Sequence, residues 1–217
     1  MKKLLFLFLI APFLLIAQET FKIEGNTYTK VFQVNELNEP DIHQKLNEFI
    51  ALNFKSAKDV IQLDTPTKII CKGNFIVNYV SSAAGNKSTI PIRCGANFTF
   101  SIKEGRYKVD IEAPTSLYNT LTKADYGNQI PPNGQNRYSS KEDFQNWYLE
   151  YVRKIYSDYG MSEKQINKTI DKVIIKEMDT FFSDYKENLE VWDSKLAELF
   201  NKIESTVANS GNDNDDW

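Results

Sequence analysis

The stretch FTFSIKEGRYKVDIEA, residues 98–113, alternates apolar and polar residues on either side of a Glu104-Gly105 pair, and few folds accommodate such a pattern. A two-residue turn at Glu104 and Gly105 sets Lys103 opposite Arg106. The same register sets Ile102 opposite Tyr107, Phe100 opposite Val109 and Phe98 opposite Ile111, with these six residues on one face. The other face carries Thr99, Ser101, Lys108, Asp110 and Glu112. An antiparallel sheet covered on one face and open to water or a partner on the other is the expected frame.

Two upstream segments extend that frame. In KIICKGNFIVNYV, Ile69, Cys71, Phe75, Val77 and Tyr79 share a face, and in TIPIRCGANFTF so do Ile90, Ile92, Cys94, Phe98 and Phe100. A hairpin across SSAAGNKS that pairs Tyr79 with Ile90 sets Cys71 opposite Phe98, about four residues from Cys94. At roughly 3.3 Å per residue that separation is too long for a disulfide. Two buried thiols are the favoured reading, and a slipped register or a bulge at Gly95 is what a bridge would need.

Nearer the start, TYTKVFQV, residues 27–34, is rich in β-branched and aromatic residues and reads as a strand. Asn38 suits a helix cap, with Pro40 and Asp41 in the first turn. Ile42, Leu46, Phe49, Ile50 and Asn53 recur at helical spacing, which predicts an amphipathic helix over 39–55. His43, the sole histidine, lies one place off that stripe and has no ligand-spaced partner, so it reads as a boundary residue. The segment DVIQLD then leads into the longer strands.

A strand, a helix and four strands, with the Lys72-Gly73 pair and IKEGRYKVDIEA at the end, resemble a family of exported bacterial domains of unknown function, common in Bacteroidetes and described as having a TATA-binding-protein-like (TBP-like) fold. The likeness covers roughly residues 27–113 and is carried chiefly by Lys103, Gly105, Arg106, Tyr107 and Lys108. Glu104 stands where Asp is usual, and Cys71 where Gly is usual. The resemblance implies an α+β fold: a curved antiparallel sheet covered by helices, here with a C-terminal helical extension. It implies an architecture and an exported address without a mechanism.

Beyond Pro114 the composition shifts. TKADYGNQIPPNGQNRYSS is rich in Gly, Pro and Asn and reads as an irregular loop. Ser140 and Asp143 open a helix whose stripe is Phe144, Trp147, Tyr148, Tyr151, Val152, Ile155 and Tyr159, with Gly160 as its stop. Ser162 and Gln165 start another, with Met161 and Ile166 placed as a hydrophobic staple. From there to about Val207 neither Gly nor Pro occurs, and apolar residues recur at helical spacing from Ile166 to Ile203. Unbroken, that helix would run roughly 65 Å, more than a small domain covers. A break near Ser183 or Asn188 is the favoured expectation, and an apolar stripe shared with another subunit is the alternative. The last half then lies over the sheet.

The N-terminus has Lys2 and Lys3, an apolar run from Leu4 to Ile16, then Ala17 and Gln18. This is the plan of a secretory signal cleaved near Ala17 or Gln18, and no cysteine follows the run to take a lipid. Periplasmic or secreted localisation follows, with no membrane span after signal removal. The expected segments are a signal peptide at 1–18, the α+β domain at 19–117, a loop or linker at 118–140, a helical region packing on the sheet at 141–208, and a disordered acidic tail at 209–217.

Loss of Lys2 and Lys3 changes 26 basic residues against 29 acidic into 24 against 29, a net charge of −5. That balance and the mixed charge of the outer sheet face argue against nucleic acid as a partner, whatever the fold's namesake binds. No nucleophile elbow, phosphate loop, zinc spacing or calcium loop occurs, and NDND at 212–215 lacks the Gly and closing Glu of a calcium loop. No catalytic, cofactor-binding or metal residue is therefore assigned. The reading is a non-catalytic protein-interaction module that binds an unidentified protein or itself. Its candidate contact residues are Thr99, Ser101, Lys108, Asp110, Glu112 and Tyr156, the last because it lies off the helix stripe. The alternative is a carrier holding a small apolar or amphipathic ligand between sheet and helix. That requires Phe75, Phe98, Phe100, Phe181, Phe182 and Trp192 to stand apart rather than fill the core.

Overall fold

The computed structural model describes residues 21–54, 56–83, 86–120, 125–127 and 137–209. The expected signal peptide, most of the 118–140 loop and the acidic tail beyond Asn209 lie outside the described residues. No helix among the described residues is long and apolar enough to cross a membrane.

Alternating side chains build the sheet. Its strands are β1 (Lys22–Glu24), β2 (Thr27–Gln33), β3 (Ile61–Thr65), β4 (Lys68–Ala83), β5 (Asn86–Lys103) and β6 (Arg106–Asn119), in the antiparallel order β1-β2-β6-β5-β4-β3. A short β7 (Asp125–Gly127) pairs with the end of β6. The helices α1 (Glu39–Asn53) and α2 (Ala57–Val60) fall between β2 and β3, so the strand, helix, four-strand order expected from the sequence is found.

The hairpin register is also as expected: Lys103 faces Arg106, Ile102 faces Tyr107, Phe100 faces Val109 and Phe98 faces Ile111. Gly105 closes the turn at φ 68°, a left-handed conformation that favours glycine. Its N–H donates to the Leu37 carbonyl and its carbonyl accepts from the Val34 N–H, which fastens the turn to the start of α1. Asn38 caps that helix by accepting from the Asp41 N–H at 2.9 Å. Gly73 has a different reason to be glycine. A Cβ there would come within 2.3 Å of the Phe54 ring and 2.9 Å of the Phe98 ring, which fill the space a side chain would need.

Cys71 lies opposite Phe98 and Cys94 opposite Phe75, and both thiols are free and fully buried. Burial alone pushes the Cys71 thiol up to about 12 and raises that of Cys94 as well. The folded chain thus holds these protons to higher pH than the unfolded chain, which sheds them first. Stability from this source is constant below about pH 8.5 and falls above it, by up to ~1.4 kcal/mol per pH unit for each thiol. Thermal unfolding at pH 8 and pH 10 checks this: a midpoint unchanged between the two contradicts the buried thiols.

One core lies between the sheet and two helices. Ile42, Leu46, Phe49 and Ile50 of α1 meet Phe98, Phe100, Val109 and Ile111 of the sheet. The helix α5 (Met178–Asn209) adds Trp192, Leu196, Phe200, Ile203 and Val207. A second cluster is helical. The helix α3 (Lys141–Asp158) buries Phe144 and Val152 against Ile166, Ile170, Ile174, Met178 and Tyr185. These come from α4 (Glu163–Thr169), from a five-residue π-turn at Ile170–Ile174 and from the first turns of α5.

The expected break near Ser183 or Asn188 is absent, because α5 runs unbroken from Met178 to Asn209. The irregularity lies earlier, where the Ile175 N–H reaches back to the Ile170 carbonyl. Asn188 does not disturb its helix because its amide is engaged elsewhere: it accepts from the Val80 N–H at 2.7 Å and donates to the Val80 carbonyl at 2.8 Å. The long apolar stripe is covered in two halves, the first by α3 and the second by the sheet and α1.

Three further expectations are corrected. Phe181 and Phe182 pack in the helical cluster rather than against the sheet. Tyr159, placed on the α3 stripe, is 83% exposed because the helix ends there. Finally, β6 continues past the composition shift at Pro114 to Asn119, and part of the expected loop is β7.

Candidate outer-face binding site

Side chains alternate across each strand, so burying Phe98, Phe100, Val109 and Ile111 obliges Thr99, Lys108, Asp110 and Glu112 to face outward. The strand order then brings β2 beside β6, with Thr29 opposite Asp110 and Thr27 opposite Glu112. Thr99, Lys108, Asp110 and Glu112 therefore line one open groove, in which Thr27, Thr29, Asn97, Lys22 and Glu24 join them. Ser101 lies next along β5, opposite Lys108.

Tyr156 is not part of this surface. It is half-buried against the helical cluster on α3, so its place off the stripe did not leave it free.

The polar groups of the groove hold one another. Thr29 donates to one Asp110 oxygen at 2.7 Å, and Lys108 Nζ lies 2.6 Å from the other. Asn97 donates to Glu112 at 2.9 Å. Lys22 pairs with Glu24, and that hydrogen bond and charge hold the exposed Glu24 carboxyl below its ordinary value. Two ammonium groups thus stand among three carboxylates. Asp110 is thus engaged on both oxygens, by the Thr29 hydroxyl on one and the Lys108 ammonium on the other. The surface offers donors and acceptors in rows, which suits recognition of a polar polypeptide surface.

Elsewhere His43 sits 2.6 Å from Asp64, tying α1 to β3, which fits the boundary role read from the sequence. Among the described residues no group of three His, Cys, Asp or Glu side chains converges as a metal site. The space beneath the sheet is occupied by rings. Trp192 stands 5.7 Å from Phe75 and 6.4 Å from Tyr28, and its indole N–H donates to the Tyr28 hydroxyl at 2.6 Å. Phe200 continues the layer against Phe21 and Phe32.

The signature that carried the resemblance now has a physical content: Gly105 makes the turn, Tyr107 is buried, and Lys103, Arg106 and Lys108 point away from the core. The chain is similar to a DUF4468 family protein from Bacteroides ovatus, at 13% identity over 67% of this chain and 90% of that one, with a TM-score of 0.39. It is also similar to a TBP-like protein from Parabacteroides distasonis, at 13% identity over 64% of this chain and 94% of that one, with a TM-score of 0.37. No curated protein matches. A family model described as a domain of unknown function (DUF4468) with TBP-like fold matches residues 28–115, which span β2 to the middle of β6. Over those residues the chain is similar to the DUF4468 family, the likeness that the Lys103 to Lys108 signature implied.

Proposed function

We propose that this protein is a non-catalytic interaction module of the bacterial cell envelope or its surroundings, exported by its N-terminal segment, which binds a protein partner through the outer face of its sheet. The observation that carries the reading is the division of the sheet. One face is closed by α1 and α5 over a core of interlocked rings, while the other presents a polar groove with paired charges. The groove gathers opposite charges from β1 and β6 and uncharged polar side chains from β2 and β5, more than solvation of the face requires. Such mixed, paired charge complements a polypeptide surface better than a uniformly anionic nucleic acid. The ring layer around Trp192 leaves the carrier alternative without a supporting feature.

Photo-crosslinking in the producing bacterium tests this. A photoreactive side chain in place of Thr99 is expected to give a discrete adduct. Glu112→Lys, on the exposed rim, should cut that adduct at least tenfold while leaving the urea midpoint unchanged. An unchanged adduct after that reversal, or no adduct at either Thr99 or Ser101, would contradict the reading.

A further inference from the structure

The edge of β4 is covered at both ends and open in the middle. At one end β3 pairs with β4 from Lys68 as far as Cys71. At the other, Asn188 takes both backbone groups of Val80, and Asp184 accepts from the Ser82 N–H at 2.6 Å and its hydroxyl at 2.8 Å. Since the N–H and C=O of Val80 point off the sheet, so do those of Ile76 and Asn78, four and two residues back on the same strand. Among the described residues nothing bonds them across that edge.

An unprotected stretch of edge is what folded proteins ordinarily avoid, by covering it or by placing Pro or Lys there. Here it runs beside α5 and forms a groove. Its strand side is Ile76, Val77 and Asn78, and its helix side includes Val191, Glu187, Glu190 and Glu198. Ile76 is 50% exposed, and Val191 is partly buried on the opposite wall. Lys87 pairs with Glu187 and Lys195 with Glu198, whereas Glu190 is exposed and has no cationic partner among the described residues. The lining holds three carboxylates and one ammonium, so it is acidic.

We infer that this groove binds an extended, basic segment of another polypeptide, which adds to the sheet as a strand along Ile76 and Asn78. Backbone hydrogen bonds to Ile76 and Asn78 supply affinity. Alternate side chains of the guest meet Val191 and Ile76, and its Lys or Arg residues meet Glu190 and the rim. Pairing of two copies edge to edge would bring two Glu190-bearing walls together, and like charge disfavours it. The site is distinct from the outer-face groove and does not rest on it.

The probe is a fluorescent, end-blocked heptapeptide alternating lysine and valine, titrated into the full chain by anisotropy with amide exchange read in parallel. The expected result is saturable binding that slows exchange of the Ile76 and Asn78 amides at least tenfold, and no binding of the glutamate-valine counterpart. Asn78→Pro removes an edge donor that the sheet itself does not use, and should weaken binding at least tenfold. Glu190→Lys should weaken it about fivefold, and keeps the test sound if the proline variant does not fold. No binding of the lysine peptide overturns the inference, as does binding that both variants leave unchanged or that protects amides elsewhere. A dimer that protects these amides without peptide overturns it in favour of self-association.

Discussion

Trp192→Ala is expected to lower the free energy of unfolding by about 3–5 kcal/mol, measured by urea denaturation. Among the described residues Trp192 is the largest fully buried side chain, and it joins Tyr28 on β2 and Phe75 on β4 to its own helix. Removing the indole leaves a void between sheet and α5 and strips the buried Tyr28 hydroxyl of the donor at 2.6 Å. Trp192→Phe should cost clearly less, because most of the ring volume stays. A loss below about 1 kcal/mol for the alanine variant would mean that α5 does not close the core as described.

Asn188→Leu is the second large effect, at about 3 kcal/mol. Leucine fits a helix better than asparagine, so local propensity predicts a small gain. The tertiary arrangement predicts the opposite. The Val80 N–H and carbonyl, both taken by the Asn188 amide in a buried setting, would lose their partners together. Urea denaturation gives the sign, and amide exchange at Val80 should quicken in the same variant. A neutral or stabilising outcome would show that α5 does not seal this edge of β4. Ser183→Ala, one turn away and exposed, should leave stability within about 0.5 kcal/mol.

The same residues show what a sequence reveals and what it hides. The Phe98 to Ile111 hairpin was legible because a two-residue period and a Glu-Gly turn are local signals, and they fix the register without reference to the rest of the chain. The offset of Cys71 from Cys94 followed from the same kind of pairing across the longer hairpin. The capped start of α1 at Asn38 was equally local.

The neighbours that complete the outer groove were not legible. Thr27 and Thr29 join Glu112 and Asp110 only because β2 lies beside β6, a pairing across about eighty residues that no local pattern encodes. Outward alternation in TYTKVFQV marks Thr27 and Thr29 as a candidate row, but not the strand they face. Asn188 misled for a related reason: an asparagine in a helix signals a weak point unless a distant backbone claims its amide. The exchange of roles between Tyr156 and Tyr159 reflects the end of α3, where a helical stripe loses its partner while the pattern continues.

Interlocked rings fill the space between sheet and helices, so a partner is expected to bind from outside. The mass of the protein recovered from its producing bacterium, taken first under native and then under denaturing conditions, is the sharpest test of this. A closed core calls for both thiols reduced and no small molecule carried along, and the proposed export for a chain shortened by its first 17 or 18 residues. A native mass exceeding the denatured chain by that of a small apolar compound would contradict it, and would place a ligand where Trp192 and Phe200 now stand.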